Sequence, residues 1–394
     1  MTALSEKEKK RILKNHPGFW VKQVEPLDGQ LTTFPDSEEQ YGGVPFTFID
    51  LFAGIGGFRA GLEPLGGKCV FSSEWDKFSA LTYKAWYGED VETRDIRDPE
   101  VQAAIPDHDI LCAGFPCQPF SLAGVSKNKS LNRGHGFDHE KQGNLFYALI
   151  DIIEAKQPSV LFLENVKNLL SHDKGKTWAV IQESLTDAGY RVFYKIIDAQ
   201  GWVPQHRERI FIVAFHKEKC SLEPEFLFPW PQPPSSRPSL ADILEKKPST
   251  KYMLSDKLWN FLQDYKEKNR NPVEGKKKRG FGYGLIKYDD RDYKATRTIS
   301  ARYHKDGSEI LLEEPGWRNP RRLTPREAAL LQGFDNSTAA LFAHTDGFPQ
   351  ATSDTQAYRQ FGNAVVPKVI NAVGENILTT WLQKSRASAP ASRP

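Results

Sequence analysis

The segment Gly114–Ser121 carries the residue with the clearest chemical potential, because Cys117 stands there between Pro116 and Pro119. An apolar run, Ile110–Ala113, precedes it and predicts a buried strand. The two prolines fix the backbone on either side of the thiol, which is therefore presented in a loop just past a strand end. A thiol held in this way is placed to act as a nucleophile.

A carboxyl group and two arginines flank other strands of the same region. Glu164 follows the predicted strand Val160–Leu163, and Arg207 and Arg209 lead into the strand Ile210–Phe215. Because successive side chains of a strand point to opposite faces, the two arginines lie on one face of it, where an arginine could orient Glu164 or a substrate carbonyl. A thiol and a carboxyl at neighbouring strand ends suit addition to an electron-poor ring with protonation of a ring nitrogen. An exposed strand edge with structural ion pairs is the alternative interpretation.

A glycine-rich turn with Gly54 and Gly56 follows the predicted strand Phe46–Phe52. Glycines let the backbone approach a ligand closely, and the free N–H groups of a following helix favour the same role. The spacing Gly-x-Gly-Gly differs from G-x-G-x-x-G, which disfavours a nicotinamide dinucleotide and leaves a nucleoside-type cofactor open. A purely structural turn also remains open at this point.

Three further side chains lie at successive strand ends. Glu74 follows the strand Cys69–Ser72, where it could accept hydrogen bonds from ribose hydroxyls. Trp75 could stack on a purine, and Asp95 beside Ile96 could bind an adenine amino group. Each one alone also fits an ordinary surface position, but their arrangement along one sheet favours a cofactor site.

Strands alternate with helices from Phe46 onward, which predicts an α/β fold with a mostly parallel sheet. Helices are expected over Leu145–Ala155 and Trp178–Ala188, and a further strand over Val192–Ile197. A capping box is expected at Thr324, with Pro325 first in its helix and Glu327 third.

The chain divides into four parts by composition. We expect an N-terminal extension over 1–45, a catalytic domain over 46–216, a small irregular domain over 217–352 that begins in a proline-rich stretch, and a C-terminal segment over 353–394. A helix over Val365–Leu382 would return this last segment to the catalytic domain.

Charge is concentrated in one region of the chain. The net charge of the whole chain is only +3, but Lys266–Lys305 contains 13 Lys and Arg against five Asp and Glu, interspersed with aromatic residues. Such a mixture suits a polyanion, with nucleic acid as the first candidate, although a solvated basic loop has a similar composition.

The four cysteines of the chain match no zinc spacing and suggest no disulfide framework, so no metal is expected. The sequence shows neither a signal peptide nor a membrane-spanning run, which predicts a cytosolic location.

The order of these motifs resembles the DNA (cytosine-5) methyltransferases of bacterial restriction–modification systems. The resemblance covers residues 46 to about 380 and is carried by seven segments, Asp50–Phe58, Glu74-Trp75, Gly114–Ser121, Glu164–Val166, Gln205–Arg209, Arg322–Glu327 and Gln360–Ala364. It implies a Rossmann-like methyltransferase fold that uses S-adenosylmethionine. The positions it assigns to the cofactor are Phe52, Gly54, Gly56, Glu74, Trp75, Asp95, Ile96, Pro116, Leu145 and Asn363.

The resemblance also assigns catalytic roles. Cys117 matches the nucleophile that adds to C6 of a cytosine flipped out of the duplex, and Glu164 matches the residue that contacts N3 and the exocyclic amine. Arg209 falls at the position that contacts the cytosine O2, and Arg207 supports the site. Where the family often has Ser after Gly-Asn, this chain has Ala364.

The implied partner is double-stranded DNA. The loop after Cys117 would contribute Ser121 and Lys127, the basic middle region would be the target-recognition domain, and Thr298 would contact the DNA backbone. Arg302 and Lys305 are candidates for reading bases or contacting phosphates. They lie in a segment that resembles the corresponding segment of enzymes that methylate CCGG, CCNGG or CCWGG sites.

The resemblance further implies a monomer in the bacterial cytoplasm, associated with the nucleoid, and a restriction endonuclease of the same site is a candidate partner. Two other functions compete with this one, an RNA cytosine-5 methyltransferase and a catalytically silent DNA-binding regulator. A thiol-protease pair of Cys117 with His206 is disfavoured, because His206 alternates to the face opposite the arginines.

Overall fold

The computed structural model describes residues 46–116, 145–270, 282–334 and 350–388. Six strands form its main sheet, namely β1 (Phe46–Leu51), β2 (Gly67–Ser73), β3 (Ile110–Ala113), β4 (Val160–Val166), β5 (Tyr190–Asp198) and β6 (Glu208–His216). Their spatial order is β2-β1-β3-β4-β6-β5. Among these six strands, β6 alone runs opposite to the other five, so the predicted mostly parallel sheet is confirmed.

Nine helices longer than a single 3₁₀ turn accompany the sheet within the described residues. They are α1 (Gly57–Leu62), α2 (Lys77–Tyr87), α3 (Pro99–Ala104), α4 (Leu145–Lys156), α5 (Lys176–Asp187), α6 (Asp256–Arg270), α7 (Pro325–Leu331), α8 (Asp354–Asn363) and α9 (Pro367–Ser388). A second, two-stranded sheet joins β7 (Leu285–Ile286) to β8 (Leu311–Leu312). Helix α7 begins with the predicted capping box between Thr324 and Glu327.

The central strands are mostly apolar because helices cover both faces of the sheet. Successive side chains of β4 point to opposite faces, so Phe162 packs with α1 and α9 while Leu161 packs with α4 and α5. All four residues of β3 are buried, as its uninterrupted apolar run predicts. The α/β fold expected from alternating strands and helices is therefore confirmed.

The C-terminal helix completes one face of the sheet. Its Asn371 Nδ2 donates a hydrogen bond to the Gly61 carbonyl of α1 at 3.0 Å. A Cβ on Gly61 would approach Ile370 Cγ2 to 2.6 Å, so the two helices pack too closely there for any side chain. The last described segment thus packs against α1, the first helix of the described residues.

A third core joins elements from distant parts of the chain. Trp86 of α2 packs 5.1 Å from Phe334 and 6.4 Å from Phe361 of α8, measured between ring centroids. Tyr303 and Leu323, from the irregular middle region, are buried in the same core. The middle region is therefore anchored on α2 and α8 by apolar packing.

Candidate active site

Strand ends from several elements meet at one edge of the main sheet. The carboxyl ends of β1 to β4 lie there, and the start of β6 joins them because β6 runs in the opposite direction. A cavity of about 620 Å³ opens at this edge. The residues that line it and that were predicted from the sequence are Phe52, Gly54, Glu74, Trp75, Asp95, Ile96, Pro116, Leu145, Glu164, Arg207, Arg209 and Asn363.

Glu74 is fixed at the cavity wall by backbone amides. The N–H of Gly54 donates to its Oε2 at 2.8 Å, and the N–H of Asp76 donates to its Oε1 at 2.7 Å. Burial raises the pKa of Glu74, and these hydrogen bonds oppose the shift. Each carboxylate oxygen can still accept a second hydrogen bond, so the group is both positioned and able to bind a hydroxyl.

The glycine turn has an unusual backbone that includes a non-glycine residue. Phe52 and Gly54 both have φ of 57°, in the left-handed region. Gly56 also has positive φ, but it is not among the residues that line the cavity. Its carbonyl accepts a hydrogen bond from Tyr87 Oη at 2.7 Å, and a Cβ there would strike the Tyr87 ring. The structure therefore gives Gly56 a packing role and does not bring it to the cavity.

Trp75 presents a large aromatic ring to the cavity. It is 74% exposed, which is unusual for tryptophan and leaves a flat surface available for stacking. Ile96 lies in the same cavity wall and is buried. The Asp95 carboxylate pairs with the Arg97 guanidinium at 2.5 Å, and this hydrogen bond lowers the pKa of Asp95.

The buried Glu164 forms an ion pair with the half-buried Arg209 in the cavity. The register of β4 and β6 places Val166 opposite Arg209, which brings Arg209 Nε to 3.1 Å from Glu164 Oε1. Burial raises the pKa of Glu164, and the charges of Arg209 and Arg207 oppose the shift. A Cβ on Gly114 would lie 3.9 Å from Glu164 Oε2, so the segment that leads into Cys117 passes beside this carboxyl.

Asn165 belongs to the Glu164–Val166 motif, but the sequence did not indicate what its side chain does. Its Nδ2 donates to the Phe115 carbonyl at 2.8 Å, and its Oδ1 accepts the Val166 N–H at 2.8 Å. It is 3% exposed, and a buried amide must find such partners. Asn165 thus connects the end of β4 to the Gly114–Pro116 segment.

Arg207 lies next to the ion pair but bonds to other groups. Its Nη atoms donate to the carbonyls of Ile299 at 3.2 Å, Gly362 at 3.1 Å and Ala364 at 2.7 Å. Full burial, more than the neighbouring charge of Arg209, lowers the pKa of Arg207. The two arginines therefore differ in role, since Arg209 pairs with Glu164 while Arg207 connects the Ile299 segment to the end of α8.

The segment with Thr298 lies alongside the start of β6. Gln205 Oε1 accepts the Ile299 N–H at 2.8 Å, and the His206 N–H donates to the Thr296 carbonyl at 2.9 Å. Thr298 Oγ1 donates to the His206 carbonyl at 2.5 Å. These bonds hold Thr298 at the edge of the sheet where the cavity opens.

The remaining predicted residues divide into two groups. Arg302 and Lys305 are described and exposed, in the loop that follows Thr298. Cys117, Ser121 and Lys127 lie outside the described residues. Within the described ranges, no group of three or more His, Cys, Asp or Glu side chains has the geometry of a metal site.

Comparison with known proteins decides the family. The profile of the C-5 cytosine-specific DNA methylases matches residues 46–379. The chain belongs to this family. A DNA-cytosine methyltransferase of Escherichia coli K12 is 42% identical over 412 residues, with 93% of this chain and 84% of the relative covered.

Two type II methyltransferases are similar in sequence to this cytosine-5 methylase over most of its length. M.NlaX of Neisseria lactamica is 48% identical over 335 residues, covering 84% of this chain and 96% of the relative. M.HpaII of Haemophilus parainfluenzae is 40% identical over 360 residues, covering 84% of this chain and 89% of the relative. The chain is thus a DNA (cytosine-5) methyltransferase of the restriction–modification type, as its motifs predicted.

A solved structure supports the fold of the methylase. The S. pombe Dnmt2 methyltransferase superposes with a TM-score of 0.62 at 19% identity, over 86% of this chain and 99% of that one. At this identity the similarity concerns the fold alone. In the described part of the chain, no helix combines the length and apolar character needed to span a bilayer.

Proposed function

We propose that this methylase transfers a methyl group from S-adenosylmethionine to C5 of a cytosine flipped out of a short, specific duplex DNA sequence. The reaction passes through a covalent bond between Cys117 Sγ and C6. The observation that carries the proposal is the Glu164–Arg209 ion pair, which lines the cavity beside the segment that leads into Cys117.

The cavity wall suits the cofactor. The exposed ring of Trp75 offers a stacking surface for adenine, and the fixed Glu74 carboxylate retains acceptor positions for ribose hydroxyls. Phe52, Ile96, Pro116 and Leu145 supply apolar contacts, and Asn363 supplies an amide. When bound, S-adenosylmethionine supplies a methyl group activated by its sulfonium charge.

Cys117 and Glu164 act together on the target base. The Cys117 thiolate adds to C6, and the electron pair moves through the ring toward N3, where Glu164 donates a proton or hydrogen bond. Because burial raises the pKa of Glu164, its protonated form is favoured relative to an exposed glutamic acid. C5 becomes the nucleophile that accepts the methyl group; loss of the C5 proton then expels the thiolate and restores aromaticity.

The arginines hold this arrangement. Arg209 pairs with Oε1 of Glu164 and would contact the cytosine O2. The two Nη atoms of Arg207 donate to the carbonyls of Ile299, Gly362 and Ala364, so we assign this arginine a positioning role. It keeps the Thr298 segment in register with the catalytic edge.

Target recognition is assigned to the irregular middle of the chain. We propose that 46–216 and 353–394 form the catalytic part, 217–352 the target-recognition domain, and 1–45 an extension. Thr298 would contact the DNA backbone at the flipped base, and Ser121 and Lys127 would contribute further DNA contacts. The exposed Arg302 and Lys305 would read guanines of a CCGG, CCNGG or CCWGG site or contact phosphates.

The assembly proposed is simple. One methyl transfer to one strand needs a single catalytic site, so the enzyme would act as a monomer on the bacterial chromosome in the cytoplasm. A restriction endonuclease with the same recognition sequence is the expected companion.

Mapping of 5-methylcytosine in a methylation-free bacterial host tests the proposal. Expression of the wild-type chain should methylate one short DNA motif, and the Cys117→Ala variant should methylate none while still binding that motif. Methylation by the variant would refute the nucleophile. Transfer to RNA alone would favour an RNA methyltransferase, and no transfer by folded wild-type protein would favour a silent regulator.

A further inference from the structure

One face of helix α8 forms a wall of the cavity. Gln356, Arg359, Gln360 and Asn363 all line it, with the spacing of three and four residues that places side chains on one side of a helix. Of these, only Asn363 was predicted to contact the cofactor. Arg359 brings a positive charge to this wall.

The other arginines that line the cavity already have partners. Arg94 pairs with Glu92 at 2.8 Å, Arg97 with Asp95 at 2.5 Å, and Arg209 with Glu164 at 3.1 Å, while Arg207 donates to backbone carbonyls. Within the described residues, the side chain of Arg359 makes neither a hydrogen bond nor an ion pair, and the residue is exposed. A guanidinium with five donors is thus presented to the cavity without an acceptor.

The carboxylates of the cavity have hydrogen-bond or ion-pair partners other than Arg359. Asp95 and Glu164 bind the arginines named above, and Glu74 accepts two backbone amides. Asp76 Oδ1 accepts the N–H groups of Phe78 and Ser79 at the start of α2. No protein carboxylate in the described cavity wall therefore pairs with Arg359, and an anionic ligand is the complementary partner.

We infer that Arg359 binds the α-carboxylate of S-adenosylmethionine, an inference that rests on the proposed use of this cofactor. The end of β2 offers Trp75 and Glu74 to the adenosine, which leaves the α8 face for the amino-acid end of the same molecule. Arg359 stands one helical turn before Asn363 on that face. A planar guanidinium can bind the carboxylate through two parallel hydrogen bonds.

Calorimetric binding of two ligands to the full chain without DNA tests the inference. S-adenosylhomocysteine carries the α-carboxylate, whereas 5′-deoxy-5′-methylthioadenosine shares the nucleoside but lacks it. Arg359→Gln should weaken the binding of S-adenosylhomocysteine about tenfold, as expected for loss of a charge-assisted hydrogen bond. The affinity for methylthioadenosine should not change. The affinity of Arg359→Lys for S-adenosylhomocysteine should lie between those of Arg359→Gln and the wild type, because lysine keeps the charge without the paired donors.

Arg326→Gln is the matched control, since Arg326 is an exposed arginine on α7 that does not line the cavity. It should bind both ligands like the wild type. Equal weakening of both ligands by Arg359→Gln would indicate a structural role and overturn the inference. Unchanged S-adenosylhomocysteine binding would also overturn it, and a reduced salt dependence of DNA binding in that variant would assign Arg359 to a phosphate. A wild-type chain that binds neither ligand would refute the proposed function itself.

Discussion

Glu164 illustrates how one buried side chain can be prepared for acid chemistry by its surroundings. Burial favours the neutral carboxyl, while Arg209 favours the charged one and fixes its orientation. The raised pKa shows that burial outweighs the pairing. A carboxyl of this kind can donate to a ring nitrogen and accept from an exocyclic amine within the same site.

Glu164→Gln should slow methyl transfer by more than about tenfold, because the amide keeps the shape but cannot deliver a proton. The pH dependence should change as well. A step that needs protonated Glu164 weakens as pH rises through its raised pKa, whereas thiolate formation at Cys117 strengthens. Single-turnover rates measured against pH should therefore fall at high pH in the wild type and lose that fall in the variant. A variant with an unchanged profile would remove the acid role from Glu164.

Asn165→Ala should reduce single-turnover transfer by between about tenfold and a hundredfold, the cost of a small misplacement of a catalytic group. The change removes the bond to the Phe115 carbonyl and frees the segment that leads into Cys117. Asn168→Ala, at an exposed position after the same strand, is the control and should behave as wild type. Equal rates for both variants would show that the Asn165 bond does not position the thiol.

At the scale of elements, the end of α8 and the Thr298 segment approach each other more closely than side chains allow. A Cβ on Gly362 would lie 2.2 Å from the Ala301 nitrogen and 2.3 Å from the Ser300 carbonyl carbon. Arg207 bonds both partners of this contact, through the carbonyls of Gly362 and Ile299. Helix α8 and the middle region therefore set each other's position at the site.

Gly362→Ala should destabilise the fold by about 1–3 kcal/mol through overpacking and should also displace the Thr298 segment. Gly88→Ala is the comparison, since Gly88 has φ of 70° at the end of α2 and open space where a Cβ would lie. That variant should lose stability through backbone strain alone, by about 1–2 kcal/mol. Methyl transfer is measured well below the unfolding temperatures of the two variants and should fall only in Gly362→Ala. Equal activities of the two variants would show that the contact of α8 with the Thr298 segment does not affect catalysis.

At the scale of the whole molecule, a buried acid in the central sheet couples folding to pH. Asp50 lies in β1 between β2 and β3 and is fully buried. Burial raises the pKa of Asp50 to about 8, against the opposing effects of the Arg59 backbone amide and charge. The folded state therefore keeps this carboxyl protonated over a pH range in which the unfolded chain has lost the proton.

Asp50→Asn should remove that part of the pH dependence of stability. In the unfolded chain the carboxyl titrates at about pH 4, so its stabilising contribution is complete below that pH. The contribution is lost as pH rises toward about 8, by up to about 1.4 kcal/mol per pH unit. Urea unfolding at pH 5, 6, 7 and 8 should show the variant gaining stability over wild type as pH rises. The exposed Asp107→Asn should show no such trend, and a flat difference for Asp50→Asn would contradict the assignment.

The sequence by itself determined the features that depend on neighbouring residues. Apolar runs such as Ile110–Ala113 predicted the strands, and the capping box at Thr324 predicted the start of α7, because period and capping are local properties. Placing Glu74 and Glu164 at strand ends was enough to expect one shared edge, since parallel strands end on the same side.

Tertiary structure alone decided which partners those residues have. Arg207 and Arg209 look equivalent in sequence, yet one bonds carbonyls of Ile299, Gly362 and Ala364 and the other pairs with Glu164. Gly56 turned out to pack against Tyr87, and Arg359 to face the cavity without a partner. These outcomes depend on segments tens to more than a hundred residues apart in sequence, and only packing in three dimensions sets the distances between them.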